Sequence, residues 1–238
     1  MTKYSYLATL ALFGIYCGPS APGGVNKPEA KVLQNAVGSG SDFMPLAKGN
    51  SWTYEMTQSV RDRAGRQSRG MAEMTFKVTT VVDHGTGKRA LVTVYNKTQP
   101  ISTLSFLSNP KGVFQTSLNG KHLTAVYNPP LPLINWPSKP GQKRTWAGMG
   151  YMAGINKNGK VKMDITYKGL AEVDTPSGRM KAHRVDVVQS YADKGKKYGT
   201  TQSMWFVPKV GLVRSLDLVS GINGTRQTDM KLKSSTRK

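Results

Sequence analysis

The side chains that could carry out covalent chemistry are few and widely spaced. The sequence has a single cysteine, Cys17, and three histidines, His84, His122 and His183. Nucleophilic catalysis needs a serine or cysteine beside an oriented base, and the sequence contains no Gly-x-Ser-x-Gly motif. One cysteine excludes an intrachain disulfide and a cysteine-based metal site, and the histidines do not have zinc-motif spacing. We therefore expect no enzyme, no metal and no cofactor.

One segment fits a dinucleotide-binding fingerprint formally, Gly-x-Gly-x-x-Ala from Gly148 to Ala153. That fingerprint requires a buried parallel strand before it and a helix after it. Its flanks, Lys143 and Arg144 on one side and residues 156–159 on the other, indicate a basic hairpin instead. We discount nucleotide binding on this ground.

Positive charge is the most informative chemical feature of the chain. Lys and Arg number 34 against 13 Asp and Glu, which gives a formal net charge of +21. Such a surface attracts polyanions over about 8 Å in physiological salt. Basic residues cluster in loops at 61–69, 156–160 and 194–197 and at the C-terminus. The candidate anion-binding residues are Arg61, Arg63, Arg66, Arg69, Lys194, Lys196 and Lys197.

Two interpretations of these loops stay open. Arginine donates two parallel hydrogen bonds to a phosphate, so loops that converge at one end of a sheet would form an anion-binding rim. Alternatively, the loops are solvated turns, and the lysines keep sheet edges from associating.

The N-terminus has the pattern of an export signal, which we assign to residues 1–20. Lys3 precedes an apolar run of about ten residues, Leu7–Tyr16, which is too short to span a bilayer. Cys17 follows directly, where a lipoprotein signal places its lipidated cysteine, although Tyr16 departs from the small residue usual before it. Cys17 is thus a candidate lipidation site; otherwise cleavage near Ser20 or Ala21 would release the mature chain.

Export decides among the partners that the charge allows. Nucleic acid is not expected, because the mature chain leaves the compartment that holds it. Anionic envelope components or an amphipathic ligand are the expected partners, and a lipidated Cys17 would add membrane association. The expected location is the periplasm or cell surface.

After a linker at residues 21–42, the pattern changes to strand-like alternation. Trp52, Tyr54 and Met56 share one face of a predicted strand, with polar residues between them. Similar segments recur as hairpins around His84–Gly87, Asn119-Gly120 and Thr175–Gly178. We expect an all-β fold over 43–238, an antiparallel meander forming a curved open barrel (half-barrel) or a two-sheet sandwich.

A proline-rich segment, residues 128–141, interrupts the hairpins. Its prolines lack ladder donors, so we expect no central strand there. It separates two loosely similar halves, one beginning near Gly49–Trp52 and the other near Gly141–Trp146. We expect a single β-domain, in which this loose repetition suggests two similar halves divided near 128–141.

Four motifs together resemble one family. They are Phe43–Tyr54, Pro130–Leu133 with Pro140-Gly141, Asp174–Met180, and Trp205–Arg214, and the first and last contain the patterns PLxxGNxWxY and WFxPxVGLV. With them the chain resembles bacterial secreted and lipoprotein-type proteins, mostly of unassigned function, over nearly its whole mature length. The resemblance implies a curved sheet similar to the lipoprotein-carrier half-barrels and an envelope location. It implies no catalytic residues.

These observations lead to two functional hypotheses. In the first, the concave face of the sheet binds an apolar or amphipathic ligand, lipid or lipoprotein-like, and basic loops contact its anionic head group or a wall polymer. The candidate ligand-binding residues are Trp52, Tyr54, Trp136, Trp146 and Trp205. In the second, the chain is an envelope scaffold without a small ligand, attached through its basic surface. An aromatic-lined cavity would favour the first and a filled core the second.

Overall fold

The computed structural model describes residues 40–120, 123–134, 139–221 and 223–237. The predicted export signal with Cys17, most of the linker, His122 and Trp136 lie outside these ranges. A short 3₁₀ helix, Gly40–Phe43, precedes the strands. The strands are β1 Ser51–Arg61, β2 Gln67–His84, β3 Gly87–Asn96, β4 Gln99–Asn109, β5 Gly112–Gly120, β6 Leu123–Ile134, β7 Lys143–Met152, β8 Lys157–Thr175, β9 Gly178–Asp193, β10 Lys196–Val207, β11 Gly211–Gly221 and β12 Gly224–Thr236.

The strands form one closed antiparallel barrel. Each pairs with its neighbours in chain order, and β1 also pairs with β12, with Ser51 opposite Thr236. The predicted all-β antiparallel meander is confirmed. The sheet closes, however, where we expected an open half-barrel or a sandwich. Closure removes both edge strands and so satisfies the backbone groups that an open sheet would leave unpaired.

Bulges curl the sheet enough to close it. The register shifts between Val78 and Thr80 in β2, between Tyr167 and Gly169 in β8, and between Leu212 and Arg214 in β11. An extra residue in one strand bends that strand and increases its local twist. Alternation in the sequence predicts which face a residue takes, but it does not reveal these single-residue insertions.

Two of the three predicted hairpin turns lie where the sequence puts them. His84 pairs with Gly87, and Thr175 pairs with Gly178. The third differs, because Gly120 pairs with Leu123 and so belongs to the ladder. The connecting residues 121–122 lie outside the described ranges.

The proline-rich segment corrects our expectation that no central strand would form there, because β6 lies between β5 and β7 in the barrel. Its first part belongs to β6, which includes Pro129, Pro130 and Pro132. The ladder tolerates them through register shifts against β5, and among the described residues the pairing with β7 is Asn128 opposite Met149. The missing proline donors thus weaken the pairing of β6 with β7, which we call the β6–β7 seam, but they do not end the sheet.

Large apolar side chains fill most of the barrel interior. Burial alternates strictly along most of β11, and similar alternation brings aromatic, methionine and valine side chains inside from the other strands. Burying each large side chain contributes about 1.5–3 kcal/mol. The same alternation also brings polar groups inside, among them Ser215 and Asp217. The described residues contain no helix long and apolar enough to cross a membrane.

Candidate functional site at the two ends of the barrel

Antiparallel strands divide their turns between two ends of the barrel. End A, where β1 begins, carries the turns after the even-numbered strands, and end B carries those after the odd-numbered strands. The three basic loops that the sequence singles out, 61–69, 156–160 and 194–197, all lie at end B. The basic C-terminal segment lies at end A, where β12 ends.

Seven of the exposed cations at end B form what we call the basic rim: Arg61, Arg63, Arg66, Arg69, Lys97, Lys194 and Lys196. Lys97, in the turn after β3, is a member that sequence reasoning missed. Within the described ranges, only Arg66 of this set forms an ion pair, with 2.7 Å between its Nε and Asp62 Oδ2. The side-chain hydrogen bond from Arg66 to Asp62 holds the pKa of the Asp62 carboxyl below its usual range. Lys197 belongs to β10, but its side chain lies outside the description.

Other basic residues limit what charge alone can explain. At the third basic loop, Lys157 Nζ lies 2.5 Å from Asp193 Oδ1, so this cation is neutralised. End A also exposes cations without ion pairs in the described structure, such as Lys111 and Lys139. End B differs from end A in having a cluster of polar side chains beneath its basic rim.

Beneath the rim, inside the barrel, is a cluster of polar side chains that we call the end-B chamber: Tyr151, Gln189, Tyr191, Gln202, Asp217 and Arg226. Arg226 belongs to β12 and shares its inward face with Thr228, Met230 and Leu232, all of which are buried. The Arg226 side chain is partly exposed, but its Nε is buried and has no hydrogen-bond partner in the part of the chain that the structure describes. Burial lowers the pKa of Arg226, yet a guanidinium stays protonated in proteins.

Asp217 is the carboxyl group of the chamber. A chain of hydrogen bonds leads to it, because Gln202 Nε2 donates to Ser215 Oγ and Ser215 Oγ donates to Asp217 Oδ1, both at 2.9 Å. Burial raises the pKa of Asp217 to about 7, although its hydrogen bonds and the charge of Arg226 oppose this change. Among the ion pairs of the described residues, none joins Asp217 to Arg226.

Two tyrosines complete the chamber as neutral groups. Burial raises the pKa of Tyr151, and it raises the pKa of Tyr191 to about 12. Gln189 Nε2 donates to the backbone oxygen of Tyr151 at 2.8 Å and so positions that strand. At neutral pH the chamber therefore holds one permanent cation and one partly ionised carboxyl.

The turn between β7 and β8 covers part of this chamber. Gly154 N donates to Tyr191 Oη at 2.6 Å, and a Cβ at Gly154 would lie 2.6 Å from the Ser220 backbone oxygen. Ser220 belongs to β11, three strands away from β8. The turn therefore folds inward across the mouth of the barrel, and only glycine fits at its contact point.

End A holds a small apolar cavity of about 40 Å³. Its aromatic lining comes from Trp52, Tyr54, Phe76 and Phe106. Trp52 Nε1 donates to Val210 O at 2.6 Å, and the Tyr54 hydroxyl also donates to a backbone carbonyl. Both polar groups are thus satisfied by protein, which leaves an apolar surface. Ligand pockets are usually about 300–1,000 Å³, so this one is small.

The other predicted ligand-binding aromatics lie elsewhere. Trp146 is buried in β7, with its ring 6.3 Å from that of Tyr127, and within the described ranges its Nε1 has no hydrogen-bond partner. Trp205 lies in β10 between Arg184 and Arg214, each with its guanidinium carbon 5.2 Å from the ring centre. Of the described candidates, the structure brings only Trp52 and Tyr54 together at one cavity.

The described histidines do not form a catalytic arrangement. His84 is exposed beside the β2–β3 turn. His183 is half-buried, with its Nδ1 2.8 Å from the Tyr167 hydroxyl and its ring against Phe43. Burial lowers the pKa of His183. Among the described residues, no group of His, Cys, Asp or Glu could hold a metal ion.

Comparison with known proteins gives structural likeness only. No family model and no curated protein matches the chain. A predicted exported protein with a YmcC-like fold from Bacteroides fragilis is 14% identical, with a TM-score of 0.45 over 80% of this chain and 97% of its own. A predicted lipoprotein from Parabacteroides distasonis is 15% identical, with a TM-score of 0.43 over 82% and 98%.

The hypothetical lipoprotein YmcC from Escherichia coli is 9% identical, with a TM-score of 0.37 over 77% of this chain and 85% of its own. The likeness of the chain to these three proteins is one of structure. Their identities and TM-scores are too low to transfer a ligand, a site residue or a role to this chain.

Proposed function

We propose that the chain is an exported, non-catalytic envelope protein that binds an anionic envelope polymer at end B. The observation that carries this proposal is the convergence of the basic loops on one end of the barrel, above a guanidinium whose Nε is buried. Export rests on the N-terminal signal pattern.

The first hypothesis from the sequence, in which one amphipathic ligand contacts both the aromatic residues and the basic loops, does not fit the arrangement of the barrel. It combined an apolar ligand with basic loops that contact the head group of the same ligand. The aromatic cavity is at end A, whereas the basic rim is at end B, at the other ends of the same strands. One small amphiphile therefore does not reach both, and the polymer becomes the better ligand for the rim.

The test is a binding titration of the host-processed protein with fluorescently labelled polyphosphate and polygalacturonate. Fluorescence anisotropy gives the affinity at several salt concentrations. A rim variant replaces five cations with glutamine: Arg61→Gln, Arg63→Gln, Arg69→Gln, Lys194→Gln and Lys196→Gln. At about 0.5 kcal/mol for each exposed contact, we expect about 70-fold weaker binding.

A control variant removes the same charge from end A: Lys48→Gln, Lys88→Gln, Arg89→Gln, Lys111→Gln and Lys139→Gln. All five residues are exposed. The proposal requires that this variant bind the polymer nearly as well as the wild type. Equal losses in both variants would mean that only net charge matters, and the end-B proposal would fail.

A second candidate function, binding of an apolar or amphipathic ligand, is favoured by the end-A cavity. At about 40 Å³ the cavity holds a few atoms rather than an acyl chain, so a lipid would have to open the barrel. The β6–β7 seam is the weakest place for that, because Asn128 opposite Met149 is its described pairing.

Native mass spectrometry and lipid analysis of the purified protein test this candidate. A stoichiometric amphiphile would support it, and a disulfide between Asn128→Cys and Met149→Cys should then block uptake of a fluorescent fatty acid. If no amphiphile co-purifies and no probe is taken up, the small-ligand function is excluded. If the polymer also fails to bind, the scaffold without a ligand becomes the better account.

A further inference from the structure

Arg226 is a partly buried cation whose Nε has no hydrogen-bond partner among the described residues. Its Nε is withdrawn from water, and the described structure gives its side chain no hydrogen bond and no ion pair. A buried donor left unsatisfied is destabilising, and more so when it is charged. A group this costly is usually satisfied by protein, water or a ligand.

The neighbouring groups do not neutralise this charge. Tyr151 and Tyr191 interact with Arg226 electrostatically, but burial keeps both phenols protonated. Asp217 lies one inward position further along the barrel, since it pairs with Thr228 while Arg226 pairs with Val219. Its carboxyl is hydrogen-bonded by Ser215 and is only partly ionised at neutral pH. The chamber therefore keeps an excess of positive charge.

The position of Arg226 leaves it reachable from end B. It is the third residue of β12, which begins at Gly224 beside the end-B turn. Its side chain keeps partial exposure, although it lies on the inward face of the strand. The β7–β8 turn contacts Tyr191, and Tyr191 interacts electrostatically with Arg226, so the turn lies near this cation.

We propose that the end-B chamber is a binding site for one oxyanion, a carboxylate or phosphate group, with Arg226 as the residue that receives it. A guanidinium offers a planar fork of donors that matches both groups. The proposed function supplies the source of this oxyanion, a polymer held by the basic rim, and the inference rests on it to that extent. The rim would hold the chain of the polymer, and Arg226 would hold one of its charged groups.

The experiment observes the Arg226 Nε–H directly by ¹H–¹⁵N NMR of the host-processed protein. A buried Nε–H exchanges slowly with water, so its resonance is visible, and Arg226→Lys identifies the resonance by its loss. Sodium phosphate and sodium acetate are titrated to about 100 mM, far above the millimolar Kd expected of a ligand with a binding free energy of about 4 kcal/mol. Sodium chloride of equal ionic strength is the control.

We expect phosphate or acetate, but not chloride, to shift the Arg226 resonance with saturation. The same shift should persist in the rim variant, because a small anion does not need the rim. We also expect Arg226→Lys to bind the polymer about tenfold more weakly or worse, as for loss of a hydrogen bond to a charged group. The matched control, Arg89→Lys at end A, should bind as the wild type does.

Two results separate this inference from the proposed function. A resonance that neither oxyanion moves, in a protein whose polymer binding still depends on the rim, overturns the chamber and leaves the proposed function intact. A saturable shift in a protein that binds no polymer supports the chamber and contradicts the polymer. Equal polymer affinities for Arg226→Lys and Arg89→Lys also count against the chamber.

Discussion

Asp217 should make the protein less stable as the pH rises, and Asp217→Asn should remove that dependence. In the folded chain burial raises the pKa of this carboxyl from 3.8 to about 7. Between these values the folded state binds a proton that the unfolded state has released. The free energy of unfolding therefore falls as the pH rises from about 4 to 7, and it stays lowered above that range.

The shift in pKa sets the size of the effect. About three pH units at 1.36 kcal/mol each correspond to at most about 4 kcal/mol. Asparagine keeps an oxygen that can accept from Ser215 Oγ and never ionises. We expect Asp217→Asn to match the wild type near pH 4 and to exceed its free energy of unfolding by up to this amount at pH 8.5. Urea unfolding at several pH values measures the difference in free energy of unfolding between the variant and the wild type. The contributions of all other titrating groups are common to both proteins and cancel in this difference.

Asp174→Asn is the control, because the pKa of Asp174 is shifted in the opposite direction from that of Asp217. Arg179 donates to Asp174 at 2.8 Å and lowers the pKa of this exposed carboxyl. Asp174 therefore contributes stability above its unfolded pKa, and that contribution is lost as the pH falls. A difference between Asp217→Asn and the wild type that does not change from pH 4 to pH 8.5 would refute the reasoning, because it would place the carboxyl in water.

Three further predictions concern the parts that hold the two ends in place. Gly154→Ala would bring a Cβ within 2.6 Å of the Tyr191 hydroxyl; we expect faster hydrogen exchange at the β7–β8 turn, and unchanged exchange would contradict the contact. Tyr54→Phe leaves the acceptor carbonyl unsatisfied and should cost about 1–3 kcal/mol in urea unfolding. Trp205→Leu removes the ring between two arginines and should cost about 0.5–2 kcal/mol for each cation–π contact, and a loss no larger than that of an exposed Leu170→Ala would argue against these contacts.

The sequence predicts the strands well because each has one buried and one solvated face. Trp52, Tyr54 and Met56 are all buried on one face of β1, as their alternation predicts. Closure of the barrel could not be predicted in the same way. It depends on bulges and on the pairing of β1 with β12, and these two strands are separated by almost the whole described chain.

The candidate site was only partly predictable. The basic loops are visible as charge clusters, and antiparallel topology then puts them at one end. Arg226 was missed because Arg226, Gln227 and Thr228 look like an exposed polar stretch. One signal was available, since Arg226 has the same alternation parity as Met230 and Leu232, which are buried. A cation in phase with core residues is a stronger indication of a site than a cation in a loop.

The distribution of side chains suggests that the two ends of the barrel have different tasks. At end A, Trp52 and Tyr54 are hydrogen-bonded to backbone carbonyls and packed around a small cavity, which contributes stability. At end B, Arg226 and Asp217 cost stability, because burial disfavours the charged form of each.

A protein that carries such a cost at one end needs a rigid framework to keep the charge in place. The closed barrel supplies one, since neither β11 nor β12 has a free edge along which it could move away from the chamber. A preorganised cation loses less free energy on binding than one that must first be ordered. Substitutions at end A should therefore change the free energy of unfolding and leave anion affinity intact, whereas substitution of Arg226 should lower anion affinity without lowering stability.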